Sequence, residues 1–201
     1  MILLLHKPFG VLSQFTDEAG RPTLVDYVKE QGVYAAGRLD VDSEGLLVLT
    51  DMPWVKTRLT DPARGTAKTY RVQVELPPGV EEVDEAALER LREGVILADG
   101  PTRPARVRLL DAATTAAVNA LPPSRPPVRP RTGCVTAWLE LTITEGRNRQ
   151  VRRMAAAVGL PTLRLVRTAV GPWRLADMKP GEVRRVEGIP AELFRRPAGR
   201  A

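Results

Sequence analysis

The chain has 201 residues, of which 43% are hydrophobic and 27% charged, a composition typical of a globular protein and not of a disordered one. One cysteine and one histidine exclude an internal disulfide and leave no soft-ligand metal cluster, and a reducing cytoplasm fits this cysteine count. The net charge of +6 favours a polyanionic partner without proving one, and the apolar start at residues 1–5 is too short for a signal sequence or a membrane span.

Strands and helices alternate along the chain without a regular βαβ rhythm. In chain order, the patterns predict a strand over 2–5, a helix over 24–29, strands over 33–36 and 45–50, a helix over 54–59, a strand over 68–75, a helix over 84–93 and strands over 105–110 and 135–144. This order predicts an α+β fold with a largely antiparallel mixed sheet.

Four charged side chains crowd the connection from Gly37 to Gly45, between two predicted strands. They are Arg38, Asp40, Asp42 and Glu44. A short loop between buried strands is held rigidly, as catalytic side chains usually are. The same pattern also fits a tight turn in which aspartate and serine side chains bond their own backbone.

Two later segments also combine charge with a defined geometry. On the strand over 68–75, Lys68 and Tyr70 point to the same face, which suits stacking on a base near its phosphate but also suits a half-buried tyrosine at a sheet edge. After Gly146, a helix is predicted with an apolar stripe at Val151, Met154, Ala155 and Val158. Three arginines lie largely off that stripe, at positions 149, 152 and 153, where phosphate binding explains them better than a solvated face.

Taken together, these segments resemble the RsuA/RluB/RluE/RluF group of pseudouridine synthases. The matching motifs are Lys7-Pro8-Phe9-Gly10, Gly37-Arg38-Leu39-Asp40 with Ser43 and Gly45-Leu46-Leu47, Lys68 with Tyr70, Glu145-Gly146-Arg147 with Arg149-Gln150-Val151-Arg152-Arg153-Met154, and Leu165-Val166-Arg167. They occur in the expected order from residue 7 to 167, so the resemblance covers nearly the whole chain.

The resemblance implies a pseudouridine synthase fold in which two lobes share the sheet around a central active-site cleft. It implies one catalytic domain over residues 1–201 without the N-terminal S4 domain of many members, which is closest to the RluE type that modifies 23S ribosomal RNA. The expected partner is ribosomal RNA or an assembling large subunit, for a monomer in the cytoplasm with no membrane association. Since the isomerisation involves no net oxidation, no cofactor or metal is expected.

The resemblance also assigns roles to individual side chains. Asp40 would be the catalytic carboxylate, Arg147 the cation that keeps it ionised, and Tyr70 a ring packed on the target base. Leu165 would form an apolar wall of the pocket, and Arg38 would fill the space left by the flipped base or hold the backbone. The remaining expected substrate-binding residues are Lys7, Lys68, Arg149, Gln150, Arg152, Arg153 and Arg167.

Two other functions remain open at this point. A non-catalytic RNA-binding protein would explain the arginines but not the clustered acids, which repel phosphate. A hydrolase that uses Asp40 with Asp42 or Glu44 would explain the acids but leave the arginines, Lys68 and Tyr70 without a function. The segment 121–131 holds five prolines and three arginines, and it is either a tolerated insertion or a basic flap over RNA.

Overall fold

The computed structural model describes residues 1–119 and 132–194, which form two compact units. Of the described residues, the first unit comprises 1–68 and 166–194, and the second comprises 69–119 and 132–165. In the described residues the strands are β1 (Ile2–Lys7), β2 (Tyr34–Ala35), β3 (Glu44–Thr50), β4 (Lys68–Glu75), β5 (Ile96–Leu97), β6 (Gly100–Pro101), β7 (Arg106–Leu109), β8 (Thr136–Ile143), β9 (Thr162–Val170), β10 (Trp173–Arg174) and β11 (Val183–Val186). The α-helices there are α1 (Pro53–Thr60), α2 (Glu85–Glu93), α3 (Ala112–Asn119) and α4 (Gln150–Ala157).

The first unit is built on the strand order β11-β1-β3-β9, with β2 on β3 and β10 on β9. Its pairs are antiparallel except the short β3–β9 contact, which is parallel. Every residue of β1 and β3 is buried, which accounts for their nearly continuous apolar sequence. The core of this unit consists of Ile2, Leu4, Ala36, Leu46, Val48, Val55, Leu59, Val166, Val170, Trp173, Leu175, Met178 and Leu193.

The second unit has the strand order β9-β4-β8-β7, in which β7 and β8 are antiparallel. Its helix α2 begins after Asp84, whose carboxylate accepts the Ala86 N–H, and buries Leu88 and Leu91. Strands β5 and β6 form a separate two-stranded hairpin. A small cluster of Leu110, Val118 and Trp138 packs α3 against β8.

The predicted α+β class and mixed sheet are confirmed. The predicted helix over 24–29 is a single 3-10 turn, Leu24–Asp26, in which the Asp26 carboxylate accepts the Thr23 N–H at 2.8 Å. The β5–β6 hairpin, α3 and β11 were not predicted. The two hairpin strands have only two residues each, Ile96-Leu97 and Gly100-Pro101, too few for a strand pattern, and β11 carries two arginines between its valines.

The proline-rich segment 121–131 lies outside the described residues, so its two interpretations stay open. In the part of the chain that the structure describes, no helix is long and apolar enough to cross a membrane.

Candidate active site

The loop that carries Asp40 is held through its backbone at Leu39, Asp40, Val41 and Ser43. The Ser13 hydroxyl donates to the Leu39 carbonyl at 2.7 Å and accepts the Leu39 N–H at 3.0 Å. The Gly10 N–H donates to the Val41 carbonyl at 2.7 Å, and the Ser43 N–H donates to the Asp40 carbonyl at 3.1 Å. These bonds fix the direction of the Asp40 side chain, which is partly exposed.

Arg167 closes the same loop from strand β9. Its Nε donates to the Leu46 carbonyl at 2.8 Å and its Nη1 to the Arg38 carbonyl at 3.3 Å, and only 3% of the residue is exposed. A buried guanidinium that binds two carbonyls positions the loop, so the structure does not support the predicted phosphate contact of Arg167. Arg38 itself is exposed.

Gly45 lies where β3 and β9 run side by side, opposite Arg167. Its φ of +105° is one that side chains rarely tolerate, and an added Cβ would lie 2.3 Å from the Arg167 carbonyl oxygen. The glycine therefore permits the close approach that brings Arg167 to the Asp40 loop.

Lys7, which was predicted to bind substrate, is fully buried, and that role stays a prediction. Its Nζ donates to the carbonyls of Pro8 at 2.8 Å and Val11 at 2.7 Å, so it holds the turn that reaches the Asp40 loop. Burial lowers the pKa of Lys7 to about 8, against an opposing effect of the nearby Glu44 charge.

Lys68, at the start of β4, is only partly exposed. Burial, and to a smaller extent the charge of Arg167, lowers the pKa of Lys68 to about 8. The first unit thus places Lys7 and Arg167 beside buried Glu44 and the Asp40 loop, and Lys68 near Arg167. Two of them, Lys7 and Arg167, serve the loop by binding its carbonyls or those of the adjoining turn.

In the second unit, the guanidinium of Arg147 is enclosed by the β5–β6 hairpin. Its Nη1 donates to the carbonyls of Gly100 at 3.0 Å and Asp99 at 3.3 Å, and its Nη2 donates to the Pro101 carbonyl. The Glu145 carboxylate lies 3.5 Å from Nη2. These acceptors give Arg147 one defined orientation.

The backbone of Arg147 is fixed as well. Its N–H donates to Oε1 of Gln150 at 2.9 Å, and the Gln150 Nε2 donates to Glu145, which also accepts the Arg103 N–H at 3.0 Å. Gln150 is only 3% exposed. Its amide shapes the Arg147 turn, and the predicted contact of Gln150 with substrate has no support in this geometry.

The three arginines around α4 differ in their surroundings. Arg149 is exposed and precedes the helix with a φ of +47°. Arg152 donates to the Thr162 carbonyl at 3.3 Å. Arg153 binds the Asp99 carboxylate with both terminal nitrogens, at 2.8 and 3.0 Å, and this bond holds the pKa of Asp99 below its usual range. Arg149 is the most exposed of the three, and the predicted contacts of all three with RNA stay predictions.

Tyr70 and Leu165 are buried in β4 and β9 of the second unit, at 7% and 4% exposure. Their predicted contacts with a base, and the predicted pairing of Arg147 with Asp40, stay predictions. Two positioning groups were missed in the sequence, Ser13 and Asp99. Nothing in the local sequence distinguishes either from an ordinary loop residue, because their partners are 26 and 54 positions away.

Comparison with known proteins gives these arrangements a context. Residues 1–157 match the family model described as RNA pseudouridylate synthase. The chain is 59% identical over 182 residues, 90% of either chain, to "Ribosomal large subunit pseudouridine synthase E" of Xanthomonas axonopodis pv. citri (strain 306). It is 50% identical over 186 residues to the protein of that name from Vibrio parahaemolyticus serotype O3:K6 (strain RIMD 2210633), covering 92% of this chain and 74% of the relative.

A solved structure described as "Crystal structure of pseudouridylate synthase" is similar over 92% of this chain and 70% of its own, with a TM-score of 0.71 and 29% sequence identity. The likeness extends to archaeal proteins at 17% identity and a TM-score of 0.53, where it shows the fold alone.

Proposed function

This chain belongs to the RNA pseudouridylate synthase family, and we propose that it converts a uridine of large-subunit ribosomal RNA, 23S in bacteria, into pseudouridine. The observation that carries the proposal is the 59% identity to a ribosomal large subunit pseudouridine synthase E over 90% of both chains. The Asp40 loop supports it, because the loop that carries one of the matching motifs is fixed by bonds from Gly10, Ser13 and Arg167.

The proposed reaction balances without an added reagent. The N1–C1′ bond of the uridine breaks, the base turns, and a C5–C1′ bond forms. The hydrogen on C5 leaves as a proton, and N1 gains one. An ionised carboxylate beside the ribose is the group that this chemistry needs, and we assign it to Asp40. Attack on C1′ and removal of a sugar proton are both compatible with that assignment.

Three residues of the second unit complete the proposed chemistry. Arg147 would supply the positive charge that favours an ionised Asp40. Tyr70 would pack on the flipped base and help remove the C5 proton, and Leu165 would form an apolar wall. The definite orientation of the Arg147 guanidinium supports its role, because a charge that is already oriented stabilises a reacting group without a cost of reorganisation.

We assign first contact with RNA to exposed arginines, above all Arg38 and Arg149, since charge neutralisation of phosphates provides most non-specific affinity. The protein would act as a monomer in the cytoplasm, on free rRNA or on an assembling large subunit. One catalytic domain over residues 1–201 would suffice for both binding and chemistry.

The test is release of tritium from C5. Purified protein is incubated with large-subunit rRNA, or with particles from cells lacking the enzyme, that carry 5-tritiated uridine. We expect release to stop at one equivalent per RNA and a pseudouridine to appear at one site, with small-subunit rRNA as the control that releases none.

The rival functions give different products in the same assay. An RNA-binding protein without activity would release no tritium. A hydrolase would cut the glycosidic bond or the strand and leave a free base or fragments. Either result with every large-subunit substrate would overturn the proposed function.

A further inference from the structure

The β5–β6 hairpin is too small to hold its own shape. Only two residue pairs join its strands, Ile96 with Pro101 and Leu97 with Gly100, and the Ile96 side chain is 84% exposed. Two-stranded hairpins of this size are marginal in water. Something outside the hairpin must therefore fix the turn between its strands.

At the base of the hairpin, the two flanking residues Val95 and Thr102 bond each other. The Val95 N–H donates to the Thr102 hydroxyl at 2.9 Å, and the Thr102 N–H donates to the Val95 carbonyl at 2.8 Å. These bonds lie on the far side of the strands from the turn at Asp99. They leave the turn dependent on contacts with the rest of the second unit.

The turn is tied to helix α4 through a forked ion pair. Each oxygen of the Asp99 carboxylate accepts one terminal nitrogen of Arg153, at 2.8 and 3.0 Å, and the Arg153 Nε donates to the Asn148 carbonyl at 2.9 Å. A two-point contact of this kind fixes orientation as well as distance. It sets the turn against the segment that begins the helix.

The same turn holds Arg147. Its guanidinium binds the carbonyls of Asp99, Gly100 and Pro101, three successive residues of the turn and strand β6. The Asp99 carboxylate itself lies 3.5 Å from Arg147 Nη1, so its direct bond to Arg147 is at most weak. Asp99 therefore acts on Arg147 mainly by keeping those carbonyls in place.

We propose that Asp99 is a positioning residue for catalysis: anchored by Arg153, it holds the hairpin whose carbonyl oxygens orient the guanidinium of Arg147. The proposal for Asp99 rests on the proposed function only in its predicted effect on the reaction rate. It also reassigns Arg153, which sequence alone suggested as a phosphate ligand, to an anchor within the protein.

The first test needs no activity. In the RNA-free protein, side-chain NMR relaxation reports the motion of the Arg147 Nε–H bond, with the signal assigned from its loss in Arg147→Lys. We expect Asp99→Asn to make this bond markedly more mobile and Asp99→Glu to restore part of its order. An unchanged Arg147 signal in Asp99→Asn would overturn the proposal.

The second test follows single-turnover tritium release. At saturating RNA, Asp99→Asn should lower the rate by about tenfold, since a misplaced catalytic group typically costs one to two orders of magnitude, while RNA affinity stays within about twofold. Arg153→Met should give the same loss, and the double variant should be no slower than either single one. A wild-type rate in Asp99→Asn, or a rate effect that excess RNA removes, would contradict the positioning role.

Asp177→Asn is the matched control. Asp177 also pairs with an arginine, Arg184, at 2.7 Å, but it belongs to the first unit, whereas Arg147 and the hairpin belong to the second. It should change neither the Arg147 signal nor the rate. If the wild-type protein proved inactive on every RNA, the proposed function would fail while the NMR comparison would still decide the role of Asp99.

Discussion

The Asp40 loop and the Arg147 segment are both held firmly, but by opposite means. The loop is bonded by buried groups, among them Ser13, Lys7 and Arg167, at 7%, 0% and 3% exposure. The Arg147 guanidinium and its anchor, the pair of Arg153 with Asp99, have side chains that are 27%, 31% and 47% exposed. Buried bonds are costly to break, whereas exposed ion pairs are screened by water and salt. The bonds of the Asp40 loop should thus be insensitive to salt, whereas the Arg153–Asp99 pair should weaken as salt rises.

The largest effect on stability is expected at Gly45, where β3 meets β9. Gly45→Ala puts a Cβ 2.3 Å from the Arg167 carbonyl at a φ of +105°, so backbone must move where β3 meets β9. We expect a loss of at least about 4 kcal/mol in the free energy of unfolding, a large part of a typical domain's stability.

Urea unfolding measures this loss. Gly20→Ala is the control, because Gly20 also has a positive φ, +70°, but no atom lies within 4 Å of an added Cβ. Its cost should be about 1–2 kcal/mol. Equal losses in the two variants would show that the close approach at Gly45 does not matter.

The buried bonds at the Asp40 loop can also be tested through Lys7, because its burial makes stability depend on pH. Because burial lowers the pKa of Lys7 from 10.5 to about 8, the unfolded chain binds that proton more tightly than the folded one. The free-energy cost of burying the charged Lys7 side chain is complete below pH 8 and falls as pH rises toward 10.5. Between pH 7.5 and 9.5, wild-type protein should gain about 2 kcal/mol in unfolding free energy relative to Lys7→Met.

Chemical denaturation at several pH values provides the two curves. Lys68, whose pKa is lowered in the same way, is present in both proteins and cancels from their difference. Lys29→Met changes an exposed lysine and should run parallel to wild type. If the curve for Lys7→Met were also parallel to that of wild type, burial would not lower the pKa of Lys7.

The smallest effect is expected at Arg149, an exposed residue of the Arg147 segment. Arg149→Asn keeps a residue that tolerates the positive φ of 47° and removes one charge. The slope of log affinity for RNA against log salt should shrink by roughly 0.7–0.9. Arg92→Gln removes an arginine already bound by Glu85 and Glu89 and should leave the slope unchanged. Equal slopes for both variants would place the RNA elsewhere.

The sequence predicted these regions unequally, for a physical reason. Strand β4 was predicted with its observed bounds and β3 and α2 within one residue, because β4 and α2 carry a periodic apolar pattern and β3 a continuous apolar run. The Asp40 loop was located by its crowded charges. The burial of Lys7 and Gln150 was not predicted, because the sequence alone does not distinguish a buried lysine or glutamine from an exposed one.

What could not be predicted depends on distant partners. Ser13 bonds Leu39, 26 residues away, and Asp99 bonds Arg153, 54 residues away. Such contacts arise only once strands and turns are placed together, and neither residue lies in a periodic segment. The resemblance named Arg147 but not the hairpin that holds it.

The central claim is that Asp40 carries out the reaction, and Asp40→Asn tests it most directly, with Asp42→Asn as a control on the same loop. Single-turnover pseudouridine formation at saturating large-subunit rRNA is measured beside RNA affinity and unfolding free energy. We predict no detectable product from Asp40→Asn, while its affinity and stability stay close to wild type and Asp42→Asn remains active. Turnover by Asp40→Asn within about tenfold of wild type, a barrier change of only about 1.4 kcal/mol, would contradict the account.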